Sequence, residues 1–597
     1  MDVAAAEKLL NLLSAGEKLI LRFENCFEQE DGAPADTALL DNLTDLTREI
    51  ETQTKDEQLP NRIKEISLNL YDSIETLKET REKAETFLFC LRYHLKSLFR
   101  ILEFEIAYLV EDFVDQNNHP RFYPESVRID PQEIRKQGKT AKCQASVVVL
   151  AYNNLSYVRE CVKSILENTD DVDYELILVD NGSTDGTGAY FDSITGAKVI
   201  HLKYNLHVVK GFNIGLLAAE GKYSAAVCND FIFTKNWLSN LLICMESDSK
   251  IGYASPGATS ISNLQQISIP FTSIERFQEK AGKFNSSDPR KWEERVVLLP
   301  NVLCCPTALL QCIGYYDTRF YRGEFADDDI SFRIRRAGYQ LVYCGDTVTH
   351  HYGSVTTAQD HQNNSFQEGK ETFFQKYGLD AWADARMDPI YQNFSYEHLS
   401  HVNAILGIEV KCGATLLQIK NTLWNKFGTH PAVSAAVTEE KYLEDLRTIT
   451  ADSVHIRDFS CLAEHFPRKF DLIYIEKSLD CIPDDLNVIF SSLSKLAKPR
   501  GQLIFRLDHC SGFSRIMDLL QQDEAVHNKK IYLEEAVCSS AERCGFRRIR
   551  TLSIASNQYL QTIQQLSQAV TGESEESLSL QKLLQKEATY FQLLYNG

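Results

Sequence analysis

The stretch from Ala145 to Asp230 constrains this chain most, because apolar runs and amphipathic segments alternate through it with polar breaks between them. Ser146 to Leu150 is an apolar, β-branched run that stops at Tyr152-Asn153-Asn154, as a buried strand does on entering a loop. The amphipathic YVRECVKSILENT follows. A second apolar run, Tyr174 to Val179, then breaks at Asp180-Asn181-Gly182-Ser183-Thr184-Asp185-Gly186. A third unit places Lys198 to Leu202, then NLHVVKGFNIGLLAAEG, then YSAAVC ending at Asn229-Asp230. Strand, helix, strand in succession predicts a parallel sheet whose ligands meet the carboxyl ends of its strands.

The residues at those ends suit a nucleotide. Asp180 directly after a strand can accept from a base N–H or a ribose hydroxyl, and Gly182 and Gly186 permit tight turning. An acidic residue at Asp230 can hold a divalent cation between protein and diphosphate.

Taken in order, VVVLAYNN, LILVDNGSTDGT, the N…KGFNIG loop, CND, FADDDISFRIRRAGY and THHYGS resemble the motifs of family 2 glycosyltransferases of the GT-A fold, over Cys143 to Gly378. The resemblance implies an inverting transfer of sugar from a nucleoside-diphosphate sugar to a hydroxyl of a glycan or protein acceptor, as in bacterial surface-glycan and protein-glycosylating enzymes. It implies Mg²⁺ or Mn²⁺ at Asp230, with His350 or His351 reaching the metal or the diphosphate. The nucleotide-sugar contacts it implies are Ala151, Tyr152, Asn153, Asp180, Asn181, Gly182, Ser183, Asn213, Asn229 and Lys210, the last being equally readable as a solvated loop charge.

Asp327-Asp328-Asp329 opens the segment ISFRIRRAGY. Alone, three carboxylates there are a favourable charge arrangement at a helix N-terminus. Behind a nucleotide site and a metal aspartate, one of them is expected to be the general base for the acceptor hydroxyl. The family's glutamate position is Ala326 here, which leaves Asp327 as the base and Asp328 as its rival. Asp329 is expected to cap the helix and pair with Arg333.

Length and charge bound the remainder. A chain of 597 residues is too long for one core, and about three or four domains are expected. With 63 Lys+Arg against 83 Asp+Glu, a nucleic-acid backbone is not expected as a partner. No apolar run reaches the roughly eighteen residues of a membrane helix and no leader pattern opens the chain, so a cytoplasmic protein without a transmembrane segment is expected. The 16 cysteines form no CxxC pair and read as reduced core residues.

The fold class expected is α/β: a GT-A, Rossmann-like nucleotide-sugar domain at 140–385, after an α-helical bundle at 1–120 and before a second Rossmann-like α/β domain at 400–560. Helices are expected over Ala4–Phe27 and Thr37–Thr54, then a long one whose apolar seam runs from Leu70, Ile74 and Leu77 to Leu102 and Leu109. That seam reads as a self-contained bundle beside the catalytic domain, or as a coiled coil for oligomerisation or docking. Ala254 to Val297 is the least regular part, as an acceptor-facing insertion, a mobile lid or a plain surface excursion would be.

From Ile405 to Ser556 the order AILGIEVKCGATLLQIKN, FDLIYIEKSLD, LSKLAKPRGQLIFRL resembles a class I methyltransferase-like domain. Lys411 stands at the first glycine of its cofactor loop and only Gly413 is retained, so a non-catalytic domain is expected. Residues 561–597 read as a helical, polar tail. The alternatives are a bifunctional glycosyltransferase and methyltransferase, a nucleotidyltransferase, or a non-catalytic nucleotide-sugar-binding scaffold.

Overall fold

The computed structural model describes residues 8–9, 11–13, 15–16, 18–20, 22–23, 37–55, 61–80, 86–87, 90–95, 98–99, 102, 106, 129–203, 205–320, 322–353, 365–508, 530, 532–555 and 586–596. Its centre is a nine-stranded sheet made of β1 (Ala145–Ala151), β2 (Tyr174–Asp180), β3 (Lys198–His201), β4 (Tyr223–Cys228), β5 (Phe231–Ile232), β6 (Ile251–Ala258), β7 (Trp292–Arg295), β8 (Leu303–Pro306) and β9 (Gln340–His351). The strand order is β3-β2-β1-β4-β8-β6-β9-β5, with β7 paired to β9. β1 to β4 run parallel, and β8 is antiparallel to β4.

Every residue of β1 is buried, which explains a continuous apolar run where a half-exposed strand would alternate. The two-residue period still sorts its side chains. Val147 and Val149 pack with Val158, Val162 and Trp237 on one face, while Val148 and Leu150 face Val209 and Phe212 on the other. The helix His207–Leu217 lies so close to the sheet that a Cβ at Gly211 would come 2.6 Å from Leu150, and one at Gly215 would come 2.4 Å from Val148. Those glycines of KGFNIG serve close packing. The chain leaves β1 toward β2 and β3, then returns to the other side for β4, so the crevice of a doubly wound sheet opens at the ends of β1 and β4.

Ala254 to Val297 is more regular than its sequence suggests. It contributes β6, the helix Ile274–Phe284 and β7, whose Trp-Glu-Glu-Arg pairs antiparallel with β9. A loose surface excursion does not describe it. Toward the amino end, helices span Thr37–Thr54 and Asn61–Thr80, and Cys90–Leu95 winds as a π-helix. Leu70, Ile74, Leu77 and Leu102 are buried in a core continuous with that of the sheet, so this seam is spent inside the chain. Leu109 lies outside the described residues.

A second sheet comprises β10 (Ala404–Ile408), β11 (Ala432–Val437), β12 (Asp452–His455), β13 (Phe470–Ile475), β14 (Ala497–Asp508), β15 (Phe546–Ala555) and β16 (Lys586–Tyr595), in the order β12-β11-β10-β13-β14-β16-β15. β16 corrects the expected helical tail: residues 586–595 form a strand inserted antiparallel between β14 and β15. Flanked on both edges, it buries Ala588 through Leu593 without alternation, which hides the strand period from a sequence reading. No described helix is long and apolar enough to cross a membrane, and all 14 cysteines described are free thiols.

The two sheets are joined through buried charge. Asp445, fully buried, accepts from Arg335 Nη2 at 2.9 Å and from Arg336 Nη2 at 2.7 Å, and both arginines belong to the helix that begins with the acidic triplet. Asn421 and Lys420 bind Glu294 of β7 from the same side. Removing one partner of such a buried cluster strands the others without compensation, at about 3–5 kcal/mol. Asp445→Ala is therefore expected to lower the urea midpoint by a corresponding amount. A midpoint equal to that of the parent would show that the joint carries no stability.

Candidate active site

The loops after β1 and β2 are zipped together by their own polar side chains. Asn153, at φ +55°, donates its backbone N–H to Ser183 Oγ (2.9 Å), and Thr184 N–H donates to Asn153 Oδ1 (2.8 Å). Asp180 Oδ1 accepts from Ser183 N–H at 2.9 Å, closing a turn in which Gly182 takes φ +76°. Its other oxygen lies 3.1 Å from His201 Nδ1. Hydrogen bonds to Asp192, then to Asp180, outweigh burial and hold the His201 pKa above its ordinary value. Each Asp180 oxygen keeps a lone pair for a ligand.

Two of the expected contacts are spent on the protein. Asn181, 2 % exposed, receives Leu206 N–H and donates to Asn205 Oδ1 and the His207 carbonyl. Asn213 donates to the Tyr316 carbonyl at 2.9 Å and accepts its N–H at 3.0 Å, so its amide braces the Tyr316 backbone instead of approaching a phosphate. Lys210 is 1 % exposed on the helix after β3 and is not a solvated loop charge. Ala151 and Asn229 are buried at the ends of β1 and β4, and Tyr152 is half-buried beside them.

At the end of β4, Asp230 meets His351 across the β5–β9 ladder, Oδ2 to Nε2 at 3.3 Å. Adjacent residues of a strand point to opposite faces, so only one of the two histidines can do this. His350 is turned away. It bonds Thr259 Oγ1 at 2.7 Å and packs against Phe271, Phe277 and Tyr352, and burial pushes its pKa down. It is therefore not a ligand of this corner.

His351 stacks on Phe231 with ring centroids 4.2 Å apart, and its Nδ1 lies 2.8 Å from the Ser260 carbonyl. That bond requires the proton on Nδ1, so Nε2 is the nitrogen that faces Asp230: while protonated it donates to the carboxylate, and once deprotonated it offers a lone pair to a cation held between them. Burial lowers the His351 pKa, but the hydrogen bond and charge of Asp230 win and the net direction is upward. Mg²⁺ or Mn²⁺ fits this pair, and among the described residues no third His, Cys, Asp or Glu joins it. The remaining ligands would come from diphosphate oxygens and water.

Asp327 and Asp328 line a cleft of about 460 Å³ that runs from Cys228 at the end of β4 past Val208, Phe212 and Pro300 to Trp382. Asp329 is fully buried and receives Arg333 Nε (2.8 Å), Lys376 Nζ (2.6 Å) and Tyr377 OH (2.8 Å). It pairs with Arg333 as expected but does not cap the helix, whose N-cap is Phe325 at φ +63°. Asp328 faces Arg386, with Nη2 at 3.2 Å from Oδ1 and 3.4 Å from Oδ2.

Asp327 is half-buried in the cleft wall; backbone N–H groups of the helix's first turn face its carboxylate, and among the described residues no side chain is recorded donating to it. Burial raises both carboxyls. Asp328 is pushed up to about 8, by burial first and by the charge of Asp327 second. Of three adjacent acids, one is braced, one is paired and one is open to the cleft.

Residues 146–288 match the glycosyl transferase family 2 model. Two curated relatives share part of this stretch. One is an uncharacterized glycosyltransferase of Haemophilus influenzae, 34 % identical over 110 residues, which are 18 % of this chain and 34 % of the relative. The other is Glycosyltransferase GlyG of Streptococcus pneumoniae, 36 % identical over 100 residues, 16 % of this chain and 33 % of the relative. The chain spans about a third of the length of these curated relatives. A solved structure with some likeness is the mannosyltransferase PcManGT from Pyrobaculum calidifontis in complex with GDP-Man and Mn²⁺, at 16 % identity and TM-score 0.30, covering 53 % of this chain and 79 % of that one.

Sequence reasoning missed Arg386 and Trp382, which lie in the cleft wall 50 or more residues beyond the triplet, Arg386 being 58 residues from Asp328. No local pattern marks them. Glu324, two residues before Ala326, also lines the cleft and was passed over because it precedes the motif. Asp230→Asn and His351→Ala are each expected to weaken Mn²⁺ binding about tenfold or more in the presence of nucleoside diphosphate, by calorimetric titration. His350→Ala is expected to leave it within twofold of the parent at ~1–2-fold. Equal losses at both histidines would refute the assignment of the corner.

Proposed function

We propose that the chain is a metal-dependent inverting glycosyltransferase that moves a sugar from a nucleoside-diphosphate sugar to a hydroxyl of a glycan or protein. The observation that carries this reading is Asp327, the carboxylate of the triplet for which no side-chain partner is recorded among the described residues, in a cleft that begins at the end of β4 beside the Asp230–His351 pair. The match to glycosyl transferase family 2 over 146–288 and the glycosyltransferase relatives support the donor half.

In this reading the loops of Tyr152–Asn153 and Asp180–Ser183 hold base and ribose, and the acceptor enters between Phe212, Pro300 and Trp382. When bound, Mg²⁺ or Mn²⁺ at Asp230 and His351 neutralises charge on the departing diphosphate. Asp327 removes the proton from the acceptor hydroxyl as the new glycosidic bond forms on the opposite face of the sugar. Arg386 keeps Asp328 engaged, so one carboxylate of the pair is left to act as base.

The second sheet is read as a domain that does not use S-adenosylmethionine. Lys411 occupies the loop after β10 at φ +51° and spends its amine on the Ala383 carbonyl at 2.5 Å. A long side chain there crowds the approach that a glycine would open.

Asp327→Asn keeps size and polarity but cannot take a proton, and acceptor transfer is expected to fall ~10²–10⁴-fold while nucleoside diphosphate binding stays near that of the parent. The measurement is product formation across UDP-, dTDP- and GDP-sugars, with calorimetry on the same protein. Normal transfer by Asp327→Asn together with loss in Asp328→Asn would move the base by one residue. Saturable binding of S-adenosylmethionine by the parent would overturn the reading of the second domain.

A further inference from the structure

The segment from Trp382 to Asp388 has two working sides. On one, Trp382 and Arg386 form a wall of the cleft. The Arg386 guanidinium rests over the Trp382 ring, 5.6 Å from its centroid, and reaches both oxygens of Asp328. Trp382 packs in turn on Phe325 and Phe366, with centroids 5.7 and 4.8 Å away, while leaving 51 % of its surface exposed.

On the other side, the same few residues are gripped by the second sheet at its carboxyl edge. Lys411 Nζ donates to the Ala383 carbonyl at 2.5 Å, and Cys412 N–H donates to the Asp384 carbonyl at 3.1 Å. Tyr442 OH donates to Asp384 Oδ1 at 3.0 Å. Asp388 N–H donates to Thr415 Oγ1 at 3.1 Å, and Tyr590 OH of β16 donates to Asp388 Oδ2 at 2.7 Å. These partners lie on the loop after β10, the helix it starts, the turn Glu440–Tyr442 and β16.

We infer that the second domain has become a clasp for the cleft wall, and that Lys411 is a positioning residue for the transfer reaction, acting through Arg386 on the Asp327–Asp328 pair. The inference rests on the reading of those carboxylates as the acceptor side. Three physical points carry it. Residues that alternate between the cleft and the second sheet cannot move on one side without moving on the other. A lysine at positive φ is a conformation most side chains avoid, and this one has its amine tied to the Ala383 carbonyl. Arg386 is long and its side chain keeps 21 % of its surface exposed, so its aim at Asp328 depends on where its backbone is held.

The groups facing the pair set the sign of its response. Asp327 and Asp329 are the acidic neighbours of Asp328, and Glu324 acts on Asp327; Arg386 is the cation bonded to Asp328 and Trp382 also donates to it, while Asp329 is already engaged by Arg333 and Lys376. Withdrawing Arg386 leaves the carboxylates less stabilised in their charged form, so the pH at which the base loses its proton moves upward.

The test uses the full chain with Lys411→Met, which keeps the stem and deletes the donor, and Lys411→Arg, which restores one. Lys411→Met is expected to leave nucleoside diphosphate affinity unchanged, to lower kcat/KM for acceptor by ~10–10²-fold, and to shift its acidic limb to higher pH; Lys411→Arg is expected to recover most of it. In an Arg386→Gln background the same Lys411→Met change is expected to add nothing. Equal losses in both backgrounds, or a parent-like pH profile, would overturn the proposal.

A second readout needs no substrate. Acrylamide quenching of Trp382, isolated by comparison with Trp382→Phe, is expected to increase in Lys411→Met. Unchanged quenching sinks the clasp whatever the chain catalyses. If the parent transfers no sugar from any donor while quenching responds, the function fails and the clasp stands.

Discussion

A charge taken out of water must find its partner inside, and this constraint fixes the helix Ala326–Arg336. At its first turn, Asp329 gathers Arg333, Lys376 and Tyr377. Arg333 spends its remaining donors on the Ile313 and Tyr315 carbonyls at 2.7 and 2.6 Å. At the last turn, Arg335 and Arg336 cross to Asp445 under the second sheet. Each group is nearly or wholly buried, so none can leave its partners without exposing an uncompensated ion. The helix is thereby held at both ends, and Asp327 and Asp328 inherit their positions from it.

The same principle separates three identical side chains into three roles. Burial raises Asp327 and Asp328. Three partners hold Asp329, one guanidinium faces Asp328, and the cleft is left for Asp327. Environment, more than chemical identity, decides which carboxylate is free to accept a proton. At the nucleotide end the polar residues follow another logic. Asn153, Asn181, Ser183 and Asn213 mostly satisfy backbone groups, so they shape the loops that surround a ligand. A polar residue at a strand end builds the site as often as it lines it.

The second sheet shows how a binding edge can be reused. Strands that end at a crevice leave backbone groups and short loops that need partners. Here the partner is the segment 383–388 of the same chain, bound by Lys411, Cys412 and Thr415. Glu294 of β7 and Asp445 extend the contact on either side, which explains why Trp-Glu-Glu-Arg is a strand at an interface.

Much of the first sheet was legible in the sequence. Val147 to Leu150, Leu176 to Val179 and Ala225 to Val227 read as buried strands because continuous β-branched and small apolar runs cut by Asn, Asp and Gly leave few other conformations. The acidic triplet, Asp230 and the order of the motifs were equally visible, and so was the lysine that replaces a cofactor glycine. The sequence alone did not reveal the strand at 586–595, the choice between His350 and His351, the bracing roles of Asn181 and Asn213, or the pairing of Arg386 with Asp328. A local pattern reports burial and backbone preference within a few residues. A ladder between Leu503 and Leu593, or an ion pair across 58 positions, depends on which distant surfaces meet, and that is decided only when the whole chain has packed.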